Sequence, residues 1–251
     1  CDKLLHASLI DGLRLSKAER RIFKHNNLED LVHLLNQYPA ETRKWIVVES
    51  VYSMDGDIAP LEKLVDLKNS YGAELIVDEA HSGGIYGPAG QGLVFELGLI
   101  GEVFARVMTF GKAWGNAGAV VLGSLALKEY LVNFARPFIY STAPAPAHVS
   151  ALLSTLRYLP SQNEARKKLQ ENIAYFLENA KSDAWGDSKT AIQTFFVTGN
   201  EAVRAKAAKA NEFAIKPIVS PTVPKGKERI RITLSANHTK EQIQSLIKTL
   251  E

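Results

Sequence analysis

Two short runs of aliphatic residues, 45–51 and Leu75-Ile76-Val77, lie on either side of one amphipathic stretch, and no other feature limits the fold of this chain as strongly. The stretch between them, 61–71, sets Leu61, Leu64, Val65 and Leu67 on a single stripe, and Gly72 follows where a helix would end. Strand, helix and buried strand in that order form a βαβ unit. Such a unit needs a right-handed crossover and a parallel sheet, so the fold class is α/β. Ligands of open α/β sheets bind beyond the carboxyl ends of the strands, which directs attention to the residues just after Val77.

The rest of the chain extends this pattern and then leaves it. Segments near 106–109 and 117–122 read as a pair of strands flanking Lys112, and 127–135 reads as a short helix. From His148 helices take over, first to Tyr158 and then over 163–182, where Leu169, Ile173, Phe176 and Leu177 recur at helical spacing. Strands at 192–198 and 229–234 and a helix at 240–250 complete a smaller α+β unit. The expected organisation is a large domain over 1–145, connecting helices over 146–180 and a small C-terminal domain over 181–251. An apolar fraction of 46% in 251 residues is enough for such a core.

Charge and cysteine content narrow the partners. A formal charge of +3 gives no reason to expect nucleic acid, and no apolar stretch reaches the length of a membrane span. The single cysteine, Cys1, rules out an intrachain disulfide framework and fits a reducing cytoplasm. Nothing in the sequence reads as a signal peptide.

Three residues carry the chemistry. Lys112 follows the run Arg106-Val107-Met108 inside Thr109-Phe110-Gly111-Lys112-Ala113-Trp114-Gly115, as a lysine delivered by a strand end into a glycine-lined turn. An amine kept out of water loses its proton more readily and can then form a Schiff base. Asp78 falls where the Leu-Ile-Val strand ends, and His81 follows across the turn, so a carboxylate and an imidazole could face one cavity. Taken singly, Asp78 could be a helix cap, His81 a surface histidine and Lys112 a solvated strand-end lysine. Together they make the minimum set for pyridoxal 5'-phosphate, whose ring nitrogen must stay protonated beside a carboxylate.

Seven blocks in order strengthen the reading. They are His6-Ala7-Ser8-Leu9-Ile10-Asp11-Gly12, Phe23-Lys24-His25-Asn26-Asn27, Glu49-Ser50-Val51-Tyr52-Ser53-Met54-Asp55-Gly56-Asp57, Val77-Asp78-Glu79-Ala80-His81, Thr109-Phe110-Gly111-Lys112, Ile139-Tyr140-Ser141-Thr142, and Pro221-Thr222-Val223-Pro224 with Arg229-Ile230-Arg231. Through them the chain resembles the α-oxoamine synthase family of pyridoxal-phosphate enzymes. That resemblance implies the type I fold of pyridoxal-phosphate transferases, a mostly parallel sheet flanked by helices. It also implies a homodimer with shared active sites that joins an amino acid to an acyl thioester carried by coenzyme A or acyl carrier protein.

By the same resemblance Lys112 holds the cofactor covalently and Asp78 pairs with its ring nitrogen. His81 and Ser53 bond its phenolic oxygen, His6 stacks on the ring and Thr109 touches the phosphate. Ser141 and Thr142 would reach the phosphate in the partner's site, and Arg231 would grip the amino-acid carboxylate through its planar fork. Silent subunits of the family lack the lysine, so Lys112 together with Asp78 and His81 implies an enzyme. Two departures stand out. The chain opens inside a family block, so the family's N-terminal arm and its phosphate-cradling helix start are expected in a longer protein. Val219 stands where the branch it most resembles usually has an arginine, which leaves the acyl donor open.

Overall fold

The computed structural model describes residues 1–251 and divides into two compact units. The first comprises Cys1–Val51 and Ala59–Gln162, the second Tyr52–Ile58 and Asn163–Glu251. The helices expected to connect the domains over 146–180 are therefore shared out at residue 162, one to each unit. The short loop Tyr52–Ile58 joins the second unit although it lies early in the chain.

In the first unit the order is α1 (Ala7–Leu15), α2 (Leu28–Leu35), β1 (Lys44–Glu49), α3 (Leu61–Ser70), β2 (Ala73–Asp78), α4 (Leu93–Glu96), β3 (Ala105–Thr109), β4 (Ala119–Gly123), α5 (Leu125–Phe134), α6 (Arg136–Ile139) and α7 (Pro146–Tyr158). Its sheet runs β1-β2-β3-β4, with β1, β2 and β3 parallel and β4 antiparallel to β3. The βαβ expectation is met residue by residue. Leu61, Leu64 and Val65 of α3 are buried, and Gly72 adopts φ +57°, the left-handed turn that ends the helix and starts β2. Ile46, Val48, Leu75 and Val77, which share one face of the sheet, are almost wholly buried, and Val47 on the opposite face is buried too.

The second unit contains α8 (Asn163–Asn179), β5 (Ile192–Phe196), α9 (Asn200–Lys209), β6 (Lys216–Ile218), β7 (Arg229–Thr233) and α10 (Lys240–Leu250). Its sheet has the order β5-β7-β6, all antiparallel. A capping box between Thr239 and Gln242 starts α10, whose Ile243, Leu246, Ile247 and Leu250 are buried. Leu169, Ile173 and Phe176 of α8 are buried, and Asn172 is buried among them. Its side-chain amide donates to the Ser235 and His238 carbonyls, each at 2.9 Å.

Candidate active site

Because β1, β2 and β3 are parallel, their carboxyl ends fall at one edge of the sheet. Glu49 lies opposite Asp78, and Asp78 opposite Val107, so the last residues of β1 and β2 stand in a row with Val107, two residues before the end of β3. Asp78 is 6% exposed, and its carboxylate accepts one hydrogen bond, from the Ala80 N–H at 2.8 Å. A turn follows, so Asp78 is no helix cap. Burial pushes its pKa above the ordinary 3.8; the Ala80 hydrogen bond and the charges of Lys112 and His6 pull the other way, and Glu79 adds to the rise. A desolvated carboxylate with a single protein donor can still accept from a cationic N–H, and a protonated pyridine nitrogen fits that need.

Lys112 stands in the loop between β3 and β4. Phe110 N–H donates to the Gly118 carbonyl at 2.8 Å and Asn116 N–H to the Phe110 carbonyl at 2.7 Å, which closes the loop tightly. Contrary to the expectation of an amine held out of water, Lys112 is exposed. The strand ends at Thr109, so the lysine projects from the loop tip, and its Nζ donates to Thr109 Oγ1 at 3.2 Å. Lysine and threonine are thus presented together at the end of β3.

His6 is exposed and caps α1 through its ring Nδ1, which accepts from the Ser8 N–H at 3.3 Å. Its own backbone N–H donates to the Glu49 carboxylate, tying the start of α1 to the end of β1. His81 is half-buried in the turn after Asp78. Ser141 and Thr142 are exposed beyond α6, where the Ser141 hydroxyl donates to the Pro137 carbonyl. The first unit therefore gathers Asp78, Lys112, Thr109 and His6 around one sheet edge.

Ser53 and Arg231 belong to the second unit. Arg231 Nε donates to the Ser53 carbonyl at 2.7 Å and Nη1 to Thr233 Oγ1 at 3.3 Å, and burial lowers its pKa. Plain alternation along β7 would have turned Arg229 to solvent as well. Instead Arg229 is 5% exposed and ion-paired with Asp55.

A buried pair beneath the turn escaped the sequence reading. Glu79 is fully buried; its Oε1 accepts from the Ser82 hydroxyl and the Val94 N–H, each at 2.9 Å, and its Oε2 is ion-paired with Arg106. Arg106 also donates to the Gln91 carbonyl, and the Ser50 hydroxyl lies 2.8 Å from Ser82 Oγ. Gly92, at φ +99°, makes room, since a Cβ there would stand 2.6 Å from Glu79 Oε1. Arg106 is paired in register with Val77, two residues before Glu79, and only the strand register reveals that proximity. The network clamps the stretch that holds Asp78 and His81. A cavity of about 600 Å³ lies by Leu31, Leu35, Trp45 and Phe104 and is lined by none of the proposed site residues.

A mostly parallel sheet with a buried aspartate at the end of β2 and a lysine just beyond β3 defines a class: the type I fold of pyridoxal-phosphate-dependent transferases. The chain belongs to the aminotransferase class I and II family, which matches it over residues 1–250, and within it to the α-oxoamine synthases. It is 39% identical over 254 residues to 8-amino-7-oxononanoate synthase of Thermosipho melanesiensis, covering 100% of this chain and 65% of that protein. Among solved structures, 8-amino-7-oxononanoate synthase from Francisella tularensis superposes with a TM-score of 0.86 at 33% identity, over 99% of this chain and 72% of that one. Serine palmitoyltransferase from S. paucimobilis, solved with a bound PLP-myriocin aldimine, gives 0.91 at 32% identity, over 99% and 64%. The chain thus spans about two thirds of the length of the relatives it matches.

Proposed function

We propose that the protein carrying this chain is a pyridoxal-phosphate-dependent acyltransferase that condenses L-alanine with a pimeloyl thioester, borne by coenzyme A or acyl carrier protein. Carbon dioxide is lost and 8-amino-7-oxononanoate is formed, a step of biotin biosynthesis in the cytoplasm. The observation that carries this reading is the meeting of Asp78 and Lys112 at one sheet edge, within reach of each other's charge. The names of the relatives direct it to this reaction.

When bound, the cofactor supplies an electron sink for the charge left on the amino-acid Cα. Asp78 would hold the proton on the ring nitrogen. Lys112 would anchor the cofactor, and its amine would accept the Cα proton and return a proton after carbon dioxide leaves. The Cα forms its new bond to the acyl carbonyl carbon as the thiolate departs. His6, His81, Ser53 and Thr109 would hold the cofactor, His6 at the ring, His81 and Ser53 at its phenolic oxygen and Thr109 at the phosphate. Ser141 and Thr142 serve the phosphate of the partner subunit in a homodimer, and Arg231 takes the alanine carboxylate.

Val219 favours one second reading, a glycine C-acetyltransferase, because no arginine stands there for the far end of a long acyl donor. Borohydride reduction followed by peptide mapping tests the site without turnover. Label on Lys112, absent from Lys112→Ala, is expected, and label on another lysine would overturn the assignment. Alanine with pimeloyl thioester should outperform glycine with acetyl-CoA; the reverse would select the second reading.

A further inference from the structure

One face of the sheet in the second unit carries more positive charge than its acids neutralise. Residues paired across a ladder project to the same side, and Lys216 is paired with Arg231. Arg229, two residues along the same strand, shares that side. Of these cations only Arg229 has an acid, Asp55. Arg231 donates to the Ser53 carbonyl and the Thr233 hydroxyl, both neutral, and exposed Lys216 enters no ion pair. Like charges directly opposite on a sheet destabilise it, so two unneutralised cations stand side by side where anions would relieve them. The condensation brings two carboxylates, one on the amino acid and one at the far end of a dicarboxylic acyl donor. Val219 follows directly on β6, one residue beyond Ile218, and supplies no charge there.

We propose that Lys216 is a specificity-determining residue that binds the far carboxylate of a dicarboxylic acyl donor, while Arg231 takes the carboxylate of the amino acid. The proposal rests on the condensation described above and adds a preference: donors ending in a free carboxylate over those ending in an ester or a methyl group. Arginine at position 216 keeps the charge, whereas methionine keeps most of the length and loses it.

Calorimetry on the cofactor-loaded protein, with pimelate and heptanoate as probes, reads the subsite directly. The unaltered protein should bind pimelate about tenfold tighter than heptanoate, the size of one charge-assisted hydrogen bond. Lys216→Met should erase that difference and Lys216→Arg should keep it. A preference that survives in Lys216→Met, or is missing from the unaltered protein, overturns the proposal. A kinetic arm with alanine and pimeloyl thioester or its methyl ester separates the two readings. If neither donor reacts yet pimelate discrimination depends on Lys216, the condensation falls and the subsite stands. If the free-acid donor reacts and Lys216→Met leaves the acid-to-ester ratio of kcat/KM unchanged, the subsite falls and the condensation stands.

Discussion

Replacing Arg106 with methionine should be among the most costly single changes in the first unit. Glu79 would remain fully buried, with neutral donors from Ser82 and Val94 in place of a guanidinium. Removing one partner of a buried ion pair typically costs about 3–5 kcal/mol, because the other charge is left uncompensated. Against a total stability of about 5–15 kcal/mol that is a large share. With a urea dependence of about 3 kcal/mol per molar, the unfolding midpoint should fall by about 1–1.7 M. Adding Glu79→Gln removes the stranded charge, so the double variant should be more stable than Arg106→Met alone. Urea unfolding of both variants and of Glu79→Gln completes the cycle. A loss below about 1 kcal/mol for Arg106→Met, or a double variant as unstable as the sum of the single ones, would refute the role given to this pair.

Other outcomes follow from the same geometry. Asp78→Asn keeps the shape but loses the charge, so turnover should fall roughly 100- to 1,000-fold, the scale of losing one preorganised electrostatic contact, with a smaller loss in cofactor affinity by equilibrium dialysis. Gly92→Ala places a methyl group 2.6 Å from Glu79 Oε1 at φ +99°, and about 1–3 kcal/mol of stability should be lost in thermal unfolding. Asp2 tests the acid limb. Burial works to raise its pKa, but hydrogen bonds from His25, Leu4 and Asn26 outweigh it and hold the carboxyl below 3.8. Its contribution is therefore complete above 3.8 and fades as the pH falls through the lower folded value, so the gap in urea midpoint between the unaltered protein and Asp2→Asn should shrink in that window. A gap that does not change with pH would show that Asp2 acts through packing alone.

The parts of the fold legible in the sequence are those set by local periodicity. The stripe of α3, the glycine that ends it and the apolar run of β2 were all readable, because each depends on neighbours a few residues away. α1 and α9 were not. α1 buries no residue and α9 only Val203 and Ala207, so neither has a wide apolar stripe to betray it. The allotment of Tyr52–Ile58 to the second unit depends on partners far along the chain: Asp55 on Arg229, the Ser53 carbonyl on Arg231, and the Gly56 carbonyl on Ser188 and Thr190. In the site, residue types placed Lys112 and Asp78 at strand ends, but whether the amine stood in or out of water depended on where β3 stops.

The pairing between β2 and β3 also has a consequence for how the site comes into being. Lys112 and Thr109 sit on a hairpin of β3 and β4 zipped by five residue pairs, whereas Asp78 joins them only through the three parallel pairs of β2 with β3. Hairpins close locally within microseconds, while parallel strands must first close a long loop. The lysine's platform is therefore expected to form ahead of the aspartate's arrival. A slip of one residue in the later pairing would turn Asp78 to the opposite face and leave a lysine with no acid beside it. During refolding, recovery of strand signal should precede the ability to trap cofactor on Lys112, and simultaneous recovery of the two would argue that β2 and β3 register as early as the hairpin closes.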